Sequence, residues 1–462
     1  MKAHDGFTGK IGYVLAAAGS AVGLGNIWRF PYLTAKYGGA VFLLVYFILV
    51  LTFGYSLLIA ENCIGRITRK GPIGAYRQLC EGQRSFLKSV RFGGWINAIV
   101  PLIIVPYYCV IGGWIAKYIA ALAFAPAESF TSAKASASYF TSFITATGSP
   151  LFYFFLFVAV LIGVIAFGVQ RGVERFNKIL MPALAVLIVA ICVYSLFLPG
   201  IGQGLAYYLK PDFSKFSAMT VVAAVGQLFY SLSIAMGIMI TYGSYMRDDE
   251  NLVSCVNQVE VFDTLISFFA GLMIIPAVVV FGGEKAAEAA GPSLLFVTMP
   301  QVFSGFPCGR LVGIAFFVLV LFAAATSAIS LMETNVQTIS QELKTSRKKA
   351  IAFVVADTLI IGTITVLGYS VFADFHPLAF IEKFAKYDIL DSLDFISNSV
   401  LMPIGAIFTV ILVVAIIGLP KFSEYIRSSG KWGREYLFQL CMTVFVIPCL
   451  LVILLYAVGV IK

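Results

Sequence analysis

Charge is what this chain lacks. Of its 462 residues only 12% are Asp, Glu, Lys or Arg, well below the quarter or so that soluble domains carry. Hydrophobic residues make up 60%, and the mean hydropathy is +0.94. A soluble globular fold is excluded, and the composition is that of a polytopic membrane protein. Histidine is nearly absent. His4 and His376 are the two present, neither beside a Cys or Asp cluster, so no metal centre is visible in the sequence. No nucleophile–base constellation stands out either, which argues against an enzyme. The eight cysteines show no paired external spacing. Cys63, Cys109, Cys192 and Cys441 fall within apolar runs and read as buried, inert thiols. No long polar stretch interrupts the chain, so we expect one integral domain and no separate soluble one.

What is present is a series of apolar runs long enough to span hydrocarbon, each of roughly 20 residues or more. They fall near 11–35, 40–66, 95–123, 151–168, 177–198, 219–246, 252–281, 307–341, 350–371, 394–417 and 436–460. The first follows a short polar start without a small-residue cleavage site, and is expected to be retained as a helix. The connections at 125–150 and 283–306 are expected to be long and external, the kind that cap a vestibule. The net charge of +9 does not indicate nucleic acid, because the cations gather in alternate connections. Arg66, Arg69, Lys70, Arg77, Arg84, Lys88 and Arg91 crowd one. Arg171, Arg175 and Lys178 mark a second, Lys344, Arg347, Lys348 and Lys349 a third, and Lys421, Arg427, Lys431 and Arg434 a fourth. By the positive-inside rule these connections and the N-terminus are cytoplasmic, which puts Lys462 outside.

Two apolar runs are broken. Gly19-Ser20-Ala21-Val22-Gly23-Leu24-Gly25-Asn26-Ile27-Trp28-Arg29-Phe30-Pro31 places three glycines, an amide, an arginine and a proline in the first. Gly226-Gln227-Leu228-Phe229-Tyr230-Ser231-Leu232-Ser233-Ile234-Ala235-Met236-Gly237 does the same in the sixth. A backbone group without a partner in hydrocarbon costs several kcal/mol, so such breaks belong where they line a cavity or bind a ligand. Five spans separate them, and an odd offset reverses orientation. Paired breaks in two inverted halves point to a transport site near the midplane. The expected fold is therefore all-α, with two inverted five-helix repeats near 11–198 and 219–417 and an extra helix at 436–460.

The residues from Gly19 to Pro31 resemble the first-helix signature of the neurotransmitter:sodium symporter family, in particular its shorter, eleven-helix bacterial amino-acid branch. The likeness continues through Ile59-Ala60-Glu61-Asn62-Cys63-Ile64-Gly65-Arg66, Tyr107-Tyr108, Gly172-Val173-Glu174-Arg175-Phe176-Asn177-Lys178, Gly226-Gln227, Thr241-Tyr242-Gly243-Ser244-Tyr245 and Ala325-Thr326-Ser327. It implies Na⁺-coupled symport of a hydrophobic or aromatic L-amino acid by alternating access, with membrane lipid as the surround. A non-transporting amino-acid sensor and a proton-coupled carrier are the alternatives. The resemblance implies a first Na⁺ site from the Ala21 carbonyl, the Asn26 side chain, Ser231, Asp263 and the substrate carboxylate. A second would use the carbonyls of Gly19, Val22 and Ala323 with the hydroxyls of Thr326 and Ser327. The substrate carboxylate would meet the Leu24 and Gly25 amides and the Tyr108 hydroxyl. Its ammonium would meet the carbonyls of Ala21, Tyr230 and Ser231 and the hydroxyl of Ser233. Ser20, Ile104, Tyr230, Met236 and Leu331, with Ser327 nearby, complete the implied pocket. Carriers of biogenic amines place an aspartate where Gly23 stands, so glycine here implies an amino acid.

Asp263 replaces the family's usual asparagine. Chloride-dependent members hold an anion with groups matching Tyr46, Gln227, Ser231 and Ser267, and we expect Asp263 to supply that negative charge itself, making transport chloride-independent. An external gate is implied from Arg29 and Asp394, with Tyr230 as a lid. Glu61 resembles carboxylates that bridge the backbone amides of the two broken helices. The family's cytoplasmic ion pair and nearby tryptophan are matched here by His4, Gln341 and Phe7, so closure is expected to use Phe7 packing near Tyr245. Gly172 and Pro182 resemble a motif at which the fifth helix unwinds.

Overall fold

The computed structural model describes residues 6–283, 287 and 292–461, and every element among them is helical apart from one isolated bridge between Gly39 and Pro211. Among the described residues nine helices are individually long and apolar enough to cross a bilayer: Ala40–Thr68, Ser89–Phe124, Gly148–Ala166, Val169–Leu196, Leu252–Gly282, Gly309–Glu342, Arg347–Leu367, Ile389–Arg427 and Glu435–Val458. Their sequences are dominated by apolar residues, and in hydrocarbon a helix satisfies its backbone groups within itself.

The first span is two helices, Lys10–Ala21 and Gly25–Lys36, meeting at 51°. The sixth expected span is divided between Ala218–Ser231 and Ile238–Tyr245. Neither half reaches across roughly 30 Å of hydrocarbon alone. In the first break Val22 turns extended, with φ −74° and ψ 103°. In the sixth, Ser233 (φ 53°) and Ala235 (φ 59°) adopt the left-handed conformation. That conformation costs a non-glycine residue about 1–2 kcal/mol, so surrounding contacts must hold it.

Burial separates two classes of helix. The most apolar windows of the third and eighth spans are 83% and 67% buried, whereas those of the fourth, fifth and ninth are 33% and that of the eleventh 22%. The third and eighth therefore run through the interior, and the others turn most of their surface outward. Around the breaks the helices approach at backbone distance. A Cβ on Gly65 would lie 1.9 Å from the Ile240 carbonyl oxygen, and one on Gly243 would lie 2.3 Å from that of Asn62. The second span thus lies directly against the lower half of the sixth, as small residues allow in membranes.

The connection at 125–150, expected to be long and external, contains a helix, Ala133–Ile144. Its Ser, Thr and Ala residues masked this in the sequence, but Ser132 caps it by accepting from the Ala135 N–H at 3.2 Å. The connection at 283–306 lies partly outside the described residues, and its last part forms the apolar helical stretch Leu294–Ser304.

Candidate functional site

The two breaks meet. The Ser233 hydroxyl donates to the Ser20 carbonyl at 2.9 Å, and the two serine hydroxyls are 3.2 Å apart. Between them is a small cavity lined by Ser20, Ala21, Leu24, Gly25, Ile104 and Tyr108 on one side. Tyr230, Ser233, Met236, Ser327 and Leu331 face them. No ionisable carboxylate or cation reaches this wall. Gly23 and Ile238 line it as well, and sequence reasoning had left both out of the pocket. Gly23 could have been found from the aspartate that other members carry there. A Cβ at Gly23 would sit 2.7 Å from Ser327 Oγ and 3.0 Å from the Tyr108 hydroxyl. The Leu24 N–H donates to that hydroxyl at 3.3 Å, so the amide and phenol face one point.

The Ser231 side chain, at the helical end of Ala218–Ser231, turns from this wall to the seventh span. There it joins a buried polar group with Asn26, Asp263 and Ser267. The Ser231 hydroxyl lies 3.0 and 2.9 Å from the two Asp263 carboxylate oxygens. Asn26 Nδ2 is 2.7 Å from Asp263 Oδ1, 2.9 Å from Ser231 Oγ and 2.8 Å from Ser267 Oγ, while Asn26 Oδ1 accepts from the Gly23 N–H at 2.9 Å. Four side chains, none of them measurably exposed, thus gather behind the first break. The Tyr46 hydroxyl faces the same group. Gln227 instead bridges to the first break, donating to the Gly25 carbonyl at 2.9 Å.

A second oxygen cluster forms where the eighth span crosses the first break. Ser327 Oγ lies 3.3, 3.1 and 3.1 Å from the carbonyl oxygens of Gly19, Ser20 and Val22. Thr326 Oγ1 is 3.1 Å from the Ala323 carbonyl and 3.0 Å from that of Phe322. Carbonyl and hydroxyl oxygens converge here without added charge, an arrangement suited to a hard monovalent cation. Among the described residues no group of three or more His, Cys, Asp or Glu gathers as a metal centre would require.

Glu61, fully buried, accepts from the Ala235 N–H at 2.8 Å and so supports one of the left-handed residues. Its other oxygen has no partner, so it braces the sixth break and makes no bond to an amide of the first. The external gate differs from expectation. Arg29 lies over the Tyr230 ring, 5.4 Å from its centroid. Asp394 accepts instead from the Tyr107 hydroxyl at 3.1 Å and from Asn398. Among the described residues Arg29 and Asp394 form no ion pair, because the carboxylate is held on the third and tenth spans and the guanidinium stacks on the sixth. Tyr107, adjacent to Tyr108, carried a signal for this in the sequence; Asn398 carried none.

On the opposite face, Phe7 is buried edge-on to Tyr242 and Tyr245, at centroid distances of 5.4 and 6.1 Å, and its N–H donates to the Tyr245 carbonyl at 3.2 Å. His4 lies outside the described residues. Gln341 is not opposite Phe7 but accepts from the Gly71 N–H at 2.8 Å. Two buried acids went unread in the sequence. Glu333 pairs with Arg347 and accepts from the Tyr245 hydroxyl at 2.9 Å. Glu174 receives the N–H and hydroxyl of Thr8 and the Lys178 ammonium, capping the start of the first span from the fifth. A carboxylate within an apolar run was the available signal for Glu333. The fifth span does not unwind between Gly172 and Pro182. Val169–Leu196 is helical throughout, with a wide turn at Val169–Glu174, because Gly172 nests against the Val164 carbonyl and Pro182 is accommodated within Arg175–Leu196.

Comparison with known proteins matches this geometry to one lineage. The sodium-dependent transporter YhdH of Bacillus subtilis is 32% identical over 455 residues, covering 98% of this chain and 97% of that protein. A sodium-dependent transporter of Haemophilus influenzae is 30% identical over 458 residues, covering 98% of both. The crystal structure of MhsT in complex with L-phenylalanine superposes with a TM-score of 0.86 at 34% identity, covering 98% of this chain and all of that one. That superposition assigns the all-α fold of two inverted five-helix repeats with a broken first helix. The family described as the sodium:neurotransmitter symporters matches residues 4–138 and 123–462. A chain that shares this family's profile over nearly its whole length, and the architecture of a solved relative, belongs to the sodium:neurotransmitter symporter family.

Proposed function

We propose that this chain is a multi-pass carrier that couples the inward movement of Na⁺ to uptake of a hydrophobic or aromatic L-amino acid by alternating access. The observation that carries this reading is the cavity between the two breaks. It offers backbone amides and a phenol at one end, hydroxyl and carbonyl oxygens alongside, and an apolar wall of Ile104, Met236 and Leu331. The Leu24 and Gly25 amides, at the start of a half-helix, suit a carboxylate. Met236 is flexible and polarizable, which suits side chains of different shape.

In this reading two Na⁺ ions travel as co-substrates. The first is held by the Ala21 carbonyl, Asn26, Ser231, Asp263 and the substrate carboxylate. The second is held by the carbonyls of Gly19, Val22 and Ala323 with Thr326 and Ser327. Use of the first set requires the Asn26 amide to turn its oxygen from the Gly23 N–H toward the ion. The ligands favour closure because they bind the closed state more tightly than the open one. The N-terminus is cytoplasmic and Lys462 external, by the charge of the connections. Asp263 supplies the compensating negative charge, so chloride is not required.

The test is uptake of labelled L-phenylalanine into proteoliposomes. Accumulation with external Na⁺ and none with choline is expected, unchanged when gluconate replaces chloride. Uptake driven by a proton gradient in choline would refute Na⁺ coupling. Loss of uptake in gluconate would refute the role given to Asp263.

A further inference from the structure

The first cytoplasmic connection holds an open cleft that the transport site does not use. Its walls come from the end of the second span, the helix Pro72–Leu79, the start of the third span and the end of the eighth. Arg69, Lys70, Arg77, Lys88 and Arg91 all line it. Glu81 and Glu342 are the acids that do so.

Two of the cations are already engaged. Arg77 pairs with Glu342, and Arg69 pairs with Asp248 while donating to the Met246 carbonyl. Lys70, Lys88 and Arg91 remain, all exposed, and among the described residues none of them closes an ion pair. With Glu342 engaged by Arg77, Glu81 is the remaining acid of the lining, so the cleft keeps a positive excess.

The third span continues from this cleft, and its first turns carry an outward apolar stripe. Phe92, Trp95 and Ile99 are 52%, 46% and 41% exposed. Their spacing of three and four residues puts them on one face. Arg91 lies 5.2 Å from the Phe92 ring, where the basic and apolar surfaces join. A soluble anion would have no use for that stripe, whereas a lipid would occupy both surfaces at once.

We propose that this cleft is a binding site for an anionic phospholipid. The phosphodiester sits between Lys70, Lys88 and Arg91, and an acyl chain lies along Phe92, Trp95 and Ile99. Basic pockets at the cytoplasmic ends of membrane helices suit anionic head groups, and the attraction grows with each Lys or Arg near the surface. The assignment does not depend on which solute the protein carries.

Trp95 provides the readout. Trp114 and Trp432 are buried, so a W28F background leaves Trp95 as the lipid-accessible indole. The full chain in nanodiscs is titrated with brominated phosphatidylglycerol and brominated phosphatidylcholine. The phosphatidylglycerol curve should show an apparent affinity about fivefold higher or more. That preference should vanish in K70Q/K88Q/R91Q, the quench itself should vanish in W95F, and E81K should strengthen the preference. Equal quenching by both lipids, or a preference that survives the triple substitution, would overturn the proposal. If the triple variant does not fold, E81K decides, and no increase would overturn it. Relief of the quench by 10 mM inorganic phosphate, on the order of a soluble-anion affinity, would show a free phosphate site and overturn the lipid assignment.

Discussion

Substituting Gly23 by alanine tests whether the first break was built around a ligand or merely tolerates one. The new Cβ would lie 2.7 Å from Ser327 Oγ and 3.0 Å from the Tyr108 hydroxyl, the first about 0.7 Å inside ordinary van der Waals contact. Both neighbours must move. Ser327 cannot turn away without leaving the carbonyls of Gly19, Ser20 and Val22, which lie 3.1–3.3 Å from it. Losing one or two such hydrogen bonds costs about 1–3 kcal/mol. If Ser327 serves both an ion and the amino acid, the expected result is a fall of roughly 5- to 150-fold in apparent affinity for both. Thermal-shift titrations with L-phenylalanine at fixed Na⁺, and with Na⁺ at fixed L-phenylalanine, measure the two. The melting temperature without ligand should fall as well, by no more than those hydrogen bonds are worth. Unchanged affinity for both would refute the reasoning, as would a large loss of ligand-free stability with normal binding.

Other substitutions probe the supports of the site. Glu61→Ala leaves the Ala235 N–H without its acceptor and should cost about 1–3 kcal/mol, read as a lower melting temperature in detergent. Gly65→Ala forces a methyl to within 1.9 Å of the Ile240 carbonyl and should cost about 1–3 kcal/mol or more by overpacking, seen as reduced yield of monodisperse protein. Arg434→Ala strips Glu260 of the guanidinium that holds both its oxygens, at 2.9 and 2.7 Å. Breaking such a pair costs about 3 kcal/mol, and the double variant with Glu260→Gln should regain part of the lost melting temperature. If the double variant is no better than the single, the stacking of Arg434 on Tyr55, 3.7 Å from its ring centroid, carries the effect instead.

Hydrocarbon imposes a rule on sequences that water does not, and this made most of the architecture legible. An apolar run of sufficient length has one stable form, so the spans could be placed from composition, and two interrupted runs marked where helices end in mid-membrane. Residues quoted from the family signature come together around the cavity because that signature is a spatial one. What stayed hidden depends on side-chain choice among several available partners. Asp394 had Arg29, Tyr107 and Asn398 within reach, and sequence alone favoured the opposite charge; the structure gives its hydrogen bonds to the neutral pair. The Gly172–Pro182 motif resembles one that unwinds, and here both residues sit in continuous helix.

The contact of Gly65 with Ile240 and of Gly243 with Asn62 has a mechanical consequence. Two rods touching main chain to main chain, with no side chains between them to act as bearings, cannot slide or roll against each other without losing their whole common surface. The second span and the Ile238–Tyr245 half of the sixth must therefore travel as one plank. Bending is left to the non-helical residues at Val22–Gly23 and Leu232–Gly237, so the walls of the proposed solute site are also the joints.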